Sequence, residues 1–358
     1  RILHVVGARP NFMKATPVVH ALADFDGVRQ TLVHTGQHYD KNMSELFFEQ
    51  LGLPKPDVNL GVGSGSHAAQ TGQVMIRLEP VVLDREPDLV LVYGDVNSTV
   101  AAALVCSKLG IQVGHVEAGL RSFDRTMPEE TNRLLTDQVA DLLFTPSEDG
   151  NENLECEGVS SEKVHFVGNA MIDTLKRLLP VAKKRSPLKE LGIESKSYGL
   201  VTLHRPTNVD DPSSLRSVLE VLDDISRQIT LIFPVHPRTR QNILQLDLSC
   251  RNSDLRLVEP LGYLDFLSLQ HGADFSITDS GGIQEETTFL NVPCLTVREN
   301  TERPVTVTLG TNVLVGQDMD RLRSEVARIT DGRAKSGTIP PLWDGRTGER
   351  IADLICRT

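Results

Sequence analysis

Short runs rich in β-branched residues alternate with amphipathic, helix-forming stretches along almost the whole chain. This alternation predicts parallel sheets with helices on both faces, because a strand that runs parallel to its neighbour needs a long crossover connection. The sequence therefore predicts an α/β fold. The candidate strands form two sets of six, at residues 2–7, 31–35, 88–94, 112–117, 142–145 and 164–168, and at 199–204, 229–235, 255–258, 275–278, 292–297 and 312–315.

A charged, helix-favouring stretch at residues 170–197 separates the two sets of strands. We expect two Rossmann-like domains that face each other across a cleft, at residues 1–168 and 169–344, followed by a C-terminal helix at 345–358. A length of 358 residues is enough for each domain to bury its own core. Ligands of open parallel sheets bind beyond the carboxyl ends of the strands, so side chains at those ends are the candidate functional residues.

The chain is acidic overall, with 48 Asp and Glu against 37 Lys and Arg and a net charge of −11. This balance argues against nucleic acid or an anionic membrane surface as a partner. No run approaches the ~18 apolar residues of a membrane span, and the first residues show no signal-peptide pattern. The scattered cysteines form no Cys-x-x-Cys pair, which predicts reduced thiols in a cytoplasmic protein. They are Cys106, Cys156, Cys250, Cys294 and Cys356.

The segment at residues 278–286, Thr-Asp-Ser-Gly-Gly-Ile-Gln-Glu-Glu, follows an apolar strand and opens a predicted helix. A strand, a glycine turn and a helix start leave several backbone N–H groups without partners at the positive end of the helix dipole. Ser280, Gly281 and Gly282 are therefore a candidate cradle for a phosphate or diphosphate. Glu286, further along the helix, suits the hydrogen bonds of a ribose diol. The alternative is an ordinary tight turn with a serine cap.

A second candidate anion site follows the first strand, where Gly-Ala-Arg-Pro-Asn-Phe-Met-Lys occupies residues 7–14. Pro10 favours a helix start there, and the cations of Arg9 and Lys14 suit a diphosphate or a carboxylate. Cations at a helix N-terminus are unfavourable unless an anion binds, which favours a functional role over a plain surface position. The segment has neither the Gly-x-Gly-x-x-Gly pattern of dinucleotide-binding proteins nor a Walker sequence.

Carboxylates form a third group of candidates. Asp95 and Glu117 follow two successive strands, and Pro128-Glu129-Glu130 opens a helix. Asp95 is also in a position typical of a helix N-cap, whereas glutamate is a poor N-cap, and Glu130 is interpreted as ordinary compensation of the helix dipole. If the fold brings these carboxylates together, crowding separates their pKa values, so that one acts as acid while another acts as base at a sugar carbon.

His204 and His236 lie at the ends of the first two predicted strands of the second domain. Two histidines at successive strand ends are harder to explain as structural residues than one. Neither has a partner at metal-ligand spacing, so we expect no metal. Arg298 and Arg303 follow a later strand and add cations near the phosphate cradle, although an exposed charged loop is the alternative for this segment.

Taken in order along the chain, these motifs resemble those of the non-hydrolysing UDP-N-acetylglucosamine 2-epimerases, a bacterial and archaeal family with the two-domain GT-B fold. The shared motifs cover essentially the whole chain. They are Gly-x-Arg-Pro, Gly-Asp, His-Val-Glu-Ala-Gly-Leu-Arg, Pro-Glu-Glu-x-Asn-Arg, His-Arg, Pro-Val-His-Pro, Asp-Ser-Gly-Gly-x-Gln-Glu-Glu and Thr-Glu-Arg-Pro. The resemblance implies that the final helix returns to the first domain, that the protein is a homodimer serving cell-surface polysaccharide synthesis, and that no external cofactor is needed.

The resemblance also implies inversion at C2 of the sugar. UDP leaves by anti elimination across C1–C2 to give a 2-acetamidoglucal, and it adds back after the C2 proton returns on the opposite face. By position, the family's catalytic residues match Asp95, Glu117, Glu129 and His204, without an assignment of which carboxylate is the base. The residues implied around UDP are Arg9, Lys14, Arg133, His204, Phe266, Ser280, Gly281, Gly282, Glu286 and Arg303.

The chain departs from the common form of these motifs at several positions; after the first strand, Ala8 replaces a threonine and Asn11 replaces a glutamate. The Arg-Gln pair with which many members bind a second, activating substrate molecule is not evident. Candidates for such a cleft are Gln37, Gln70, Arg205 and His236. Relatives that begin with Gly-Ala-Arg-Pro include epimerases of UDP-2,3-diacetamido-2,3-dideoxy-glucuronic acid, so this substrate is an alternative. A GT-B glycosyltransferase and a non-catalytic nucleotide-sugar sensor are further alternatives.

Overall fold

A computed structural model of the chain describes residues 1–37, 48–194, 197–245 and 252–357. The chain divides into two compact units, of which the first combines Arg1–Arg177 with Pro341–Thr358 and the second is Leu178–Pro340. The first unit ends inside a helix, whereas the sequence suggested a boundary at residues 168–169. A boundary within a helix gives no break in composition or periodicity, so sequence patterns do not reveal it.

Seven parallel strands form the sheet of the first unit, in the order β3-β2-β1-β4-β5-β6-β7. They are β1 (Ile2–Val6), β2 (Gln30–His34), β3 (Val58–Asn59), β4 (Leu89–Tyr93), β5 (Gln112–Val116), β6 (Leu142–Thr145) and β7 (Val164–Phe166). The sequence predicted six of them, because the two residues of β3 are too few for a hydrophobic pattern. The strand order reverses between β1 and β4, the position at which doubly wound sheets form their ligand sites.

The second unit contains a six-stranded parallel sheet in the order β10-β9-β8-β11-β12-β13. Its strands are β8 (Tyr198–Thr202), β9 (Thr230–Pro234), β10 (Leu255–Val258), β11 (Phe275–Thr278), β12 (Cys294–Thr296) and β13 (Asn312–Leu314). All six were predicted from the sequence within a few residues. The strand order again reverses between the first strand and the fourth, so the two units repeat one topology.

Helices alternate with the strands in both units. In the first unit they are α1 (Arg9–Ala23), α2 (His67–Arg85), α3 (Asn97–Lys108), α4 (Pro128–Val139), α5 (Glu148–Cys156) and α6 (Ala170–Ala182), whose last turn enters the second unit. The second unit then contains α7 (Pro187–Glu190), α8 (Pro206–Val209), α9 (Pro212–Ser226), α10 (Pro237–Gln245), α11 (Tyr263–Gly272), α12 (Gly281–Leu290), α13 (Pro304–Thr308) and α14 (Met319–Thr330). No helix in these described stretches is both long and apolar enough to cross a membrane.

The final helix, α15 (Thr347–Cys356), returns to the first unit and packs against α1. A Cβ atom at Gly348 would lie 2.4 Å from the carbonyl oxygen of Pro17, so only glycine allows this close approach. The N–H of Gly348 donates to Asp173 Oδ2 at 2.8 Å, and the buried indole of Trp343 donates to the carbonyl of Pro146 at 2.8 Å. These contacts anchor the return of the chain.

Two buried histidines make the stability of the first unit sensitive to acid. His4, on β1, is enclosed by the Tyr93 hydroxyl and the Gln30 amide, and His34 is buried at the end of β2. Burial lowers the pKa of each from its ordinary value of 6.5 to about 4. Between these two values the unfolded state binds a proton that the folded state excludes, so the folded state loses stability as the pH falls.

We expect the free energy of unfolding to decrease by about 2–3 kcal/mol per histidine as the pH falls from 6.5 towards 4. Asp173 acts in the opposite sense, because burial raises the pKa of its carboxyl to about 6, but it offsets only one of the two histidines. Denaturant titrations over this range should show the decrease in the wild type and a smaller decrease in His4→Gln. Equal slopes for the two proteins would contradict this assignment.

Candidate functional site

Asp95 lies just beyond the carboxyl end of β4. Its Oδ2 accepts a hydrogen bond from Arg133 Nη1 at 2.5 Å, and its side chain is 22% exposed. The N-cap residue of α3 is Val96. Asp95 is therefore not the N-cap, which was the alternative to a functional role. Its contact instead connects the end of β4 to α4, the helix that carries Arg133.

Glu117 leaves β5 with a φ angle of +77°, a left-handed conformation that glutamate rarely adopts. Its Oε1 lies 2.6 Å from Lys14 Nζ, and both side chains are buried. A Cβ atom at Gly94 would lie 2.7 Å from Lys14 Nζ and 3.7 Å from Glu117 Oε1. This ion pair therefore rests against the backbone that precedes Asp95. The sequence predicted that Lys14 suits a diphosphate or a carboxylate, and its ammonium is buried against the carboxyl group of Glu117.

Glu129 and Glu130 share the first turn of α4 but have different surroundings. Glu129 is half-buried and has no hydrogen-bond or ion-pair partner among the residues that the structure describes. Glu130 is buried, accepts the backbone N–H groups of Ser122 and Phe123 at 3.0 and 2.9 Å, and binds Arg133 Nη2 at 2.6 Å. Burial alone would raise the pKa of Glu130, but these hydrogen bonds hold it below its usual value. Its interpretation as simple compensation of the helix dipole is therefore wrong.

Asn11 explains one departure of the chain from the common family motif. Its Oδ1 accepts the N–H groups of Gly7 and Ala8 at 3.0 and 3.1 Å, and its Nδ2 donates to the carbonyl of Tyr93 at 2.7 Å. The buried amide thus connects the glycine turn after β1 to the end of β4, a connection that the acceptor-only carboxylate of glutamate cannot make. Arg9 is exposed at the first position of α1.

Gln37 and Gln70 are buried and connected to each other. Gln70 Nε2 donates to the carbonyl of Gln37 at 3.2 Å, and its Oε1 accepts a hydrogen bond from Asn97 at 2.9 Å. Gln37 Oε1 accepts from the N–H and the hydroxyl of Ser98, at 3.2 and 2.7 Å. Asn97 in turn accepts a hydrogen bond from Asn132 of α4 at 3.2 Å. Both glutamines therefore belong to a polar network around the start of α3.

In the second unit, the fully buried Asp279 holds His204. Asp279 Oδ1 is 2.8 Å from His204 Nδ1, and its Oδ2 accepts the N–H groups of His204 and Arg205 and the amide of Asn208 at 2.9–3.0 Å. Burial would raise the pKa of Asp279, but the hydrogen bond and charge of His204 lead the contacts that lower it. Because Nδ1 donates to the carboxylate, Nε2 is the nitrogen left for a ligand, and the side chain is 57% exposed.

The sequence analysis did not identify the role of Asp279, although the residue belongs to the segment at 278–286 that was considered as an anion cradle. The available signal was its position directly after β11, because β11 pairs with β8 and His204 follows β8. Residues after neighbouring parallel strands emerge at one edge of the sheet. Arg205 also binds there, with its Nε donating to the carbonyl of Asp279 at 3.1 Å.

The turn between β11 and α12 has the expected form of an anion cradle. Ser280 is the N-cap residue, and within the described residues its side chain makes no capping hydrogen bond, so the alternative of an ordinary serine cap does not apply. Gly281 and Gly282 form the first turn of α12. A Cβ atom at Gly281 would lie 2.3 Å from Arg303 Nη1 and 2.7 Å from Glu302 Oε1. The Arg303 guanidinium therefore lies against the helix N-terminus.

Arg298 and Arg303 are buried, so the alternative of an exposed charged loop is wrong. Arg303 is bound by Glu285 Oε1 at 2.9 Å and by Glu302 Oε1 at 2.5 Å, and Arg298 is bound by Glu302 Oε2 at 2.7 Å. Glu302, which sequence reasoning did not single out, thus holds two arginines beside the cradle. Two buried arginines and two buried carboxylates, those of Glu285 and Glu302, thus lie beside the cradle.

The remaining candidates of the second unit have separate environments. Glu286, on α12, is buried and accepts a hydrogen bond from the Tyr263 hydroxyl at 2.9 Å. Phe266, on α11, is half-buried and packs against the cluster that contains Ile193 and Tyr198. His236 is exposed after β9. In the stretches that the structure describes, no group of three or more His, Cys, Asp or Glu side chains is arranged to hold a metal ion.

The structure therefore assembles the candidates of each unit at the loops that follow its strands. In the first unit Asp95 and Glu117 each bind a cation, and Glu129 lies on the helix that holds Arg133. In the second unit, Asp279 binds His204 and directly precedes the glycine turn, and Arg303 lies against that turn. The first unit thus carries carboxylates after β4, after β5 and on α4, and the second unit carries a glycine turn beside buried arginines.

Comparison with known proteins extends this result. Residues 20–356 match the family model described as UDP-N-acetylglucosamine 2-epimerase. A UDP-N-acetylglucosamine 2-epimerase of Methanococcus maripaludis is 42% identical over 98% of this chain and 97% of its own. A UDP-2,3-diacetamido-2,3-dideoxy-D-glucuronate 2-epimerase of Pseudomonas aeruginosa is also 42% identical, over 100% and 99%. The crystal structure of the Methanocaldococcus jannaschii UDP-GlcNAc 2-epimerase with UDP-GlcNAc and UDP superposes with a TM-score of 0.92 at 41% identity, covering 100% and 99%.

Proposed function

Because the chain belongs to the UDP-N-acetylglucosamine 2-epimerase family, we propose that it interconverts UDP-N-acetylglucosamine and UDP-N-acetylmannosamine by inversion at C2. The proposal rests on two features that occur together. Asp95 and Glu117 are each paired with a cation, and a glycine cradle lies beside buried arginines. A neutral hexose with an acidic leaving group needs both features, because its carbon must lose and regain a proton while a diphosphate departs and returns.

The second unit binds UDP in this proposal. The backbone N–H groups of Ser280, Gly281 and Gly282 and the guanidinium of Arg303 hold the diphosphate, since a helix N-terminus and an arginine both favour an anion. Glu286 accepts hydrogen bonds from the ribose. His204, whose Nδ1 is held by Asp279, presents Nε2 to the oxygen that departs from C1.

The first unit supplies the proton transfers. One carboxylate among Asp95, Glu117 and Glu129 removes the C2 proton, and the electron pair of the C2–H bond forms the C1=C2 double bond as the C1–O bond breaks and UDP leaves with its electrons. Another carboxylic acid then protonates C2 from the opposite face, and a UDP oxygen adds to C1. Lys14 and Arg133 hold the carboxyl groups of Glu117 and Asp95 in place before substrate binds.

A 2-epimerase of UDP-2,3-diacetamido-2,3-dideoxy-glucuronic acid is the second candidate function, which the equally similar Pseudomonas relative favours. Its substrate carries an additional carboxylate at C6, which needs a cation at the sugar. Lys14 and Arg133 of the first unit already bind acidic side chains of the protein. With these two cations engaged, the exposed Arg9 of α1 is the candidate partner of a C6 carboxylate.

Proton NMR in D2O tests the proposal. With UDP-N-acetylglucosamine as substrate, we expect the anomeric signal of UDP-N-acetylmannosamine to appear and deuterium to replace hydrogen at C2. If the protein turns over the diacetamido-uronic acid nucleotide but not UDP-N-acetylglucosamine, the former is its substrate. Transfer of the sugar to an added acceptor, or binding of UDP without turnover of either nucleotide, would refute an epimerase.

We further propose a homodimer in the cytoplasm. Ile76 and Leu83 lie two turns apart on α2 and are 65% and 59% exposed, and such paired apolar side chains on one helix face suit an interface between subunits. Cys106, Cys156, Cys294 and Cys356 are free thiols, which a reducing compartment preserves, and Cys250 lies outside the described residues. Sedimentation equilibrium that gives only the 39.4 kDa mass of one chain would contradict the dimer.

A further inference from the structure

The first unit contains a buried group of three ionisable side chains, which we name the Asp137 cluster: His115, Arg121 and Asp137. His115 Nδ1 lies 2.6 Å from Asp137 Oδ1, and Arg121 Nη1 lies 2.7 Å from Asp137 Oδ2. The side chains are at most 1% exposed. The mechanism proposed above uses none of the three, although His115 and Arg121 belong to the His-Val-Glu-Ala-Gly-Leu-Arg motif.

The hydrogen bonds of His115 define its orientation. Its Nε2 lies 2.8 Å from the carbonyl oxygen of Gly94, and a carbonyl only accepts hydrogen bonds, so Nε2 carries a proton. Its Nδ1 faces the carboxylate of Asp137, which also accepts the N–H of Gly119 at 3.1 Å. Burial would raise the pKa of Asp137, but His115 and Arg121 on the same carboxylate hold it below its usual value. The ring of His115 thus connects this carboxylate to a peptide carbonyl.

This cluster contacts every element that carries one of the three catalytic carboxylates. Asp137 lies on α4, the helix whose first turn carries Glu129. His115 lies on β5, two residues before Glu117, and its Nε2 binds Gly94, the residue before Asp95. One hydrogen-bonded chain thus runs from α4 through β5 to the end of β4.

The backbone around the carboxylates needs such support. Glu117 has a φ angle of +77°, and Gly94 and Gly119 have φ angles of +63° and +80°. A glutamate in a left-handed conformation costs free energy and persists only where its surroundings hold it. The cluster binds Gly94 and Gly119, the glycines beside Asp95 and Glu117.

Stability alone does not explain the cluster. The desolvation of buried ions offsets most of their mutual attraction, so apolar side chains of similar volume often stabilise a protein equally well or better. Ion pairs and hydrogen bonds instead constrain geometry, because each contact defines a distance and an angle between the elements it connects.

We propose that the Asp137 cluster is a positioning unit that sets the mutual geometry of Asp95, Glu117 and Glu129 for proton transfer at C2. This inference rests on the function proposed above. The three residues of the cluster do not touch the substrate and act through the loops and the helix that they connect. Loosening the cluster should therefore slow the proton transfers and leave the affinity for UDP intact, since the groups to which the proposed function assigns UDP belong to the second unit.

The test compares His115→Gln and Asp137→Asn with a matched control, His4→Gln. His4 is equally buried, makes two side-chain hydrogen bonds and lies on β1, which pairs with β4, but its two side-chain partners, Tyr93 and Gln30, belong to strands β4 and β2 and not to the loops that carry the carboxylates. The full-length proteins are assayed for kcat with UDP-N-acetylglucosamine, for the dissociation constant of UDP by calorimetry, and for the melting temperature.

We expect both cluster variants to lower kcat by about 10- to 100-fold with an unchanged dissociation constant for UDP, because small misplacements of catalytic groups cost about that much. They should also release free UDP during turnover, since a misplaced acid returns the proton slowly and the 2-acetamidoglucal has time to escape. His4→Gln should lower the melting temperature and retain kcat.

Folded cluster variants with wild-type kcat, or with losses of kcat equal to that of His4→Gln, would overturn the inference. An inactive wild type would instead refute the proposed substrate, and the same variants would then be compared on the diacetamido-uronic acid nucleotide. If His115→Gln and Asp137→Asn do not fold, Arg121→Lys keeps the cation but loses the two-pronged contact with Glu157. It should lower kcat without changing the affinity for UDP, and an unchanged kcat would contradict the proposal.

Discussion

Glu129→Gln is expected to lower kcat by about 10²- to 10⁴-fold, the usual contribution of a general acid or base. Glutamine keeps the size of the side chain and its ability to form hydrogen bonds, but it cannot accept or give up the C2 proton. Glu129 is half-buried and has no ion-pair partner among the described residues, so the substitution leaves no buried cation behind. We therefore expect nearly unchanged stability and an unchanged dissociation constant for UDP.

Glu148→Gln is the matched control for this variant. Glu148 is an exposed first-turn glutamate of α5 in the same unit, so its substitution removes a similar interaction with a helix dipole. It should leave kcat unchanged. Steady-state kinetics combined with calorimetric titration of UDP separate the two steps, and an active Glu129→Gln enzyme would remove Glu129 from the mechanism. Glu117→Gln is less suitable, because it would leave Lys14 buried without its partner.

Gly281→Ala is expected to weaken UDP binding by about 10- to 100-fold, which corresponds to about 1.4–2.7 kcal/mol. The added Cβ atom would lie 2.3 Å from Arg303 Nη1, so the guanidinium would have to leave the N-terminus of α12. Its ion pairs with Glu285 and Glu302 oppose that movement. A methyl group would also keep a phosphate from approaching the backbone N–H groups.

Gly262→Ala provides the control in the same unit. Gly262 is the N-cap residue of α11, and an added Cβ atom there would meet only Asp265 Oδ2, at 3.9 Å. Calorimetric titration of UDP should give wild-type affinity for Gly262→Ala and the loss for Gly281→Ala. Wild-type affinity for both variants would show that the diphosphate binds elsewhere. A melting temperature measured without ligand separates the loss of affinity from a loss of folding.

The alternation of strands and helices determined the two parallel sheets, because period and β-branched content reflect burial of each strand on both faces. The sequence likewise identified the glycine turn at Ser280 and the carboxylates after β4 and β5. These features are local, since a strand end and a helix start are encoded by neighbouring residues. The short strand β3 and the division of the chain within α6 have no such local pattern and were found only in the structure.

The tertiary structure decided which charges are partners. Lys14 and Glu117, or Asp137 and His115, are far apart in the sequence, and no periodicity connects them. Only the strand order brings their loops together. For the same reason the sequence analysis attributed to Glu130 only ordinary compensation of the helix dipole and left an exposed loop as the alternative for Arg298 and Arg303, whereas all three side chains are buried. Residue types and their order along the chain thus specified the sheets and the family. The electrostatics of the site depend on long-range pairing, which local patterns do not encode.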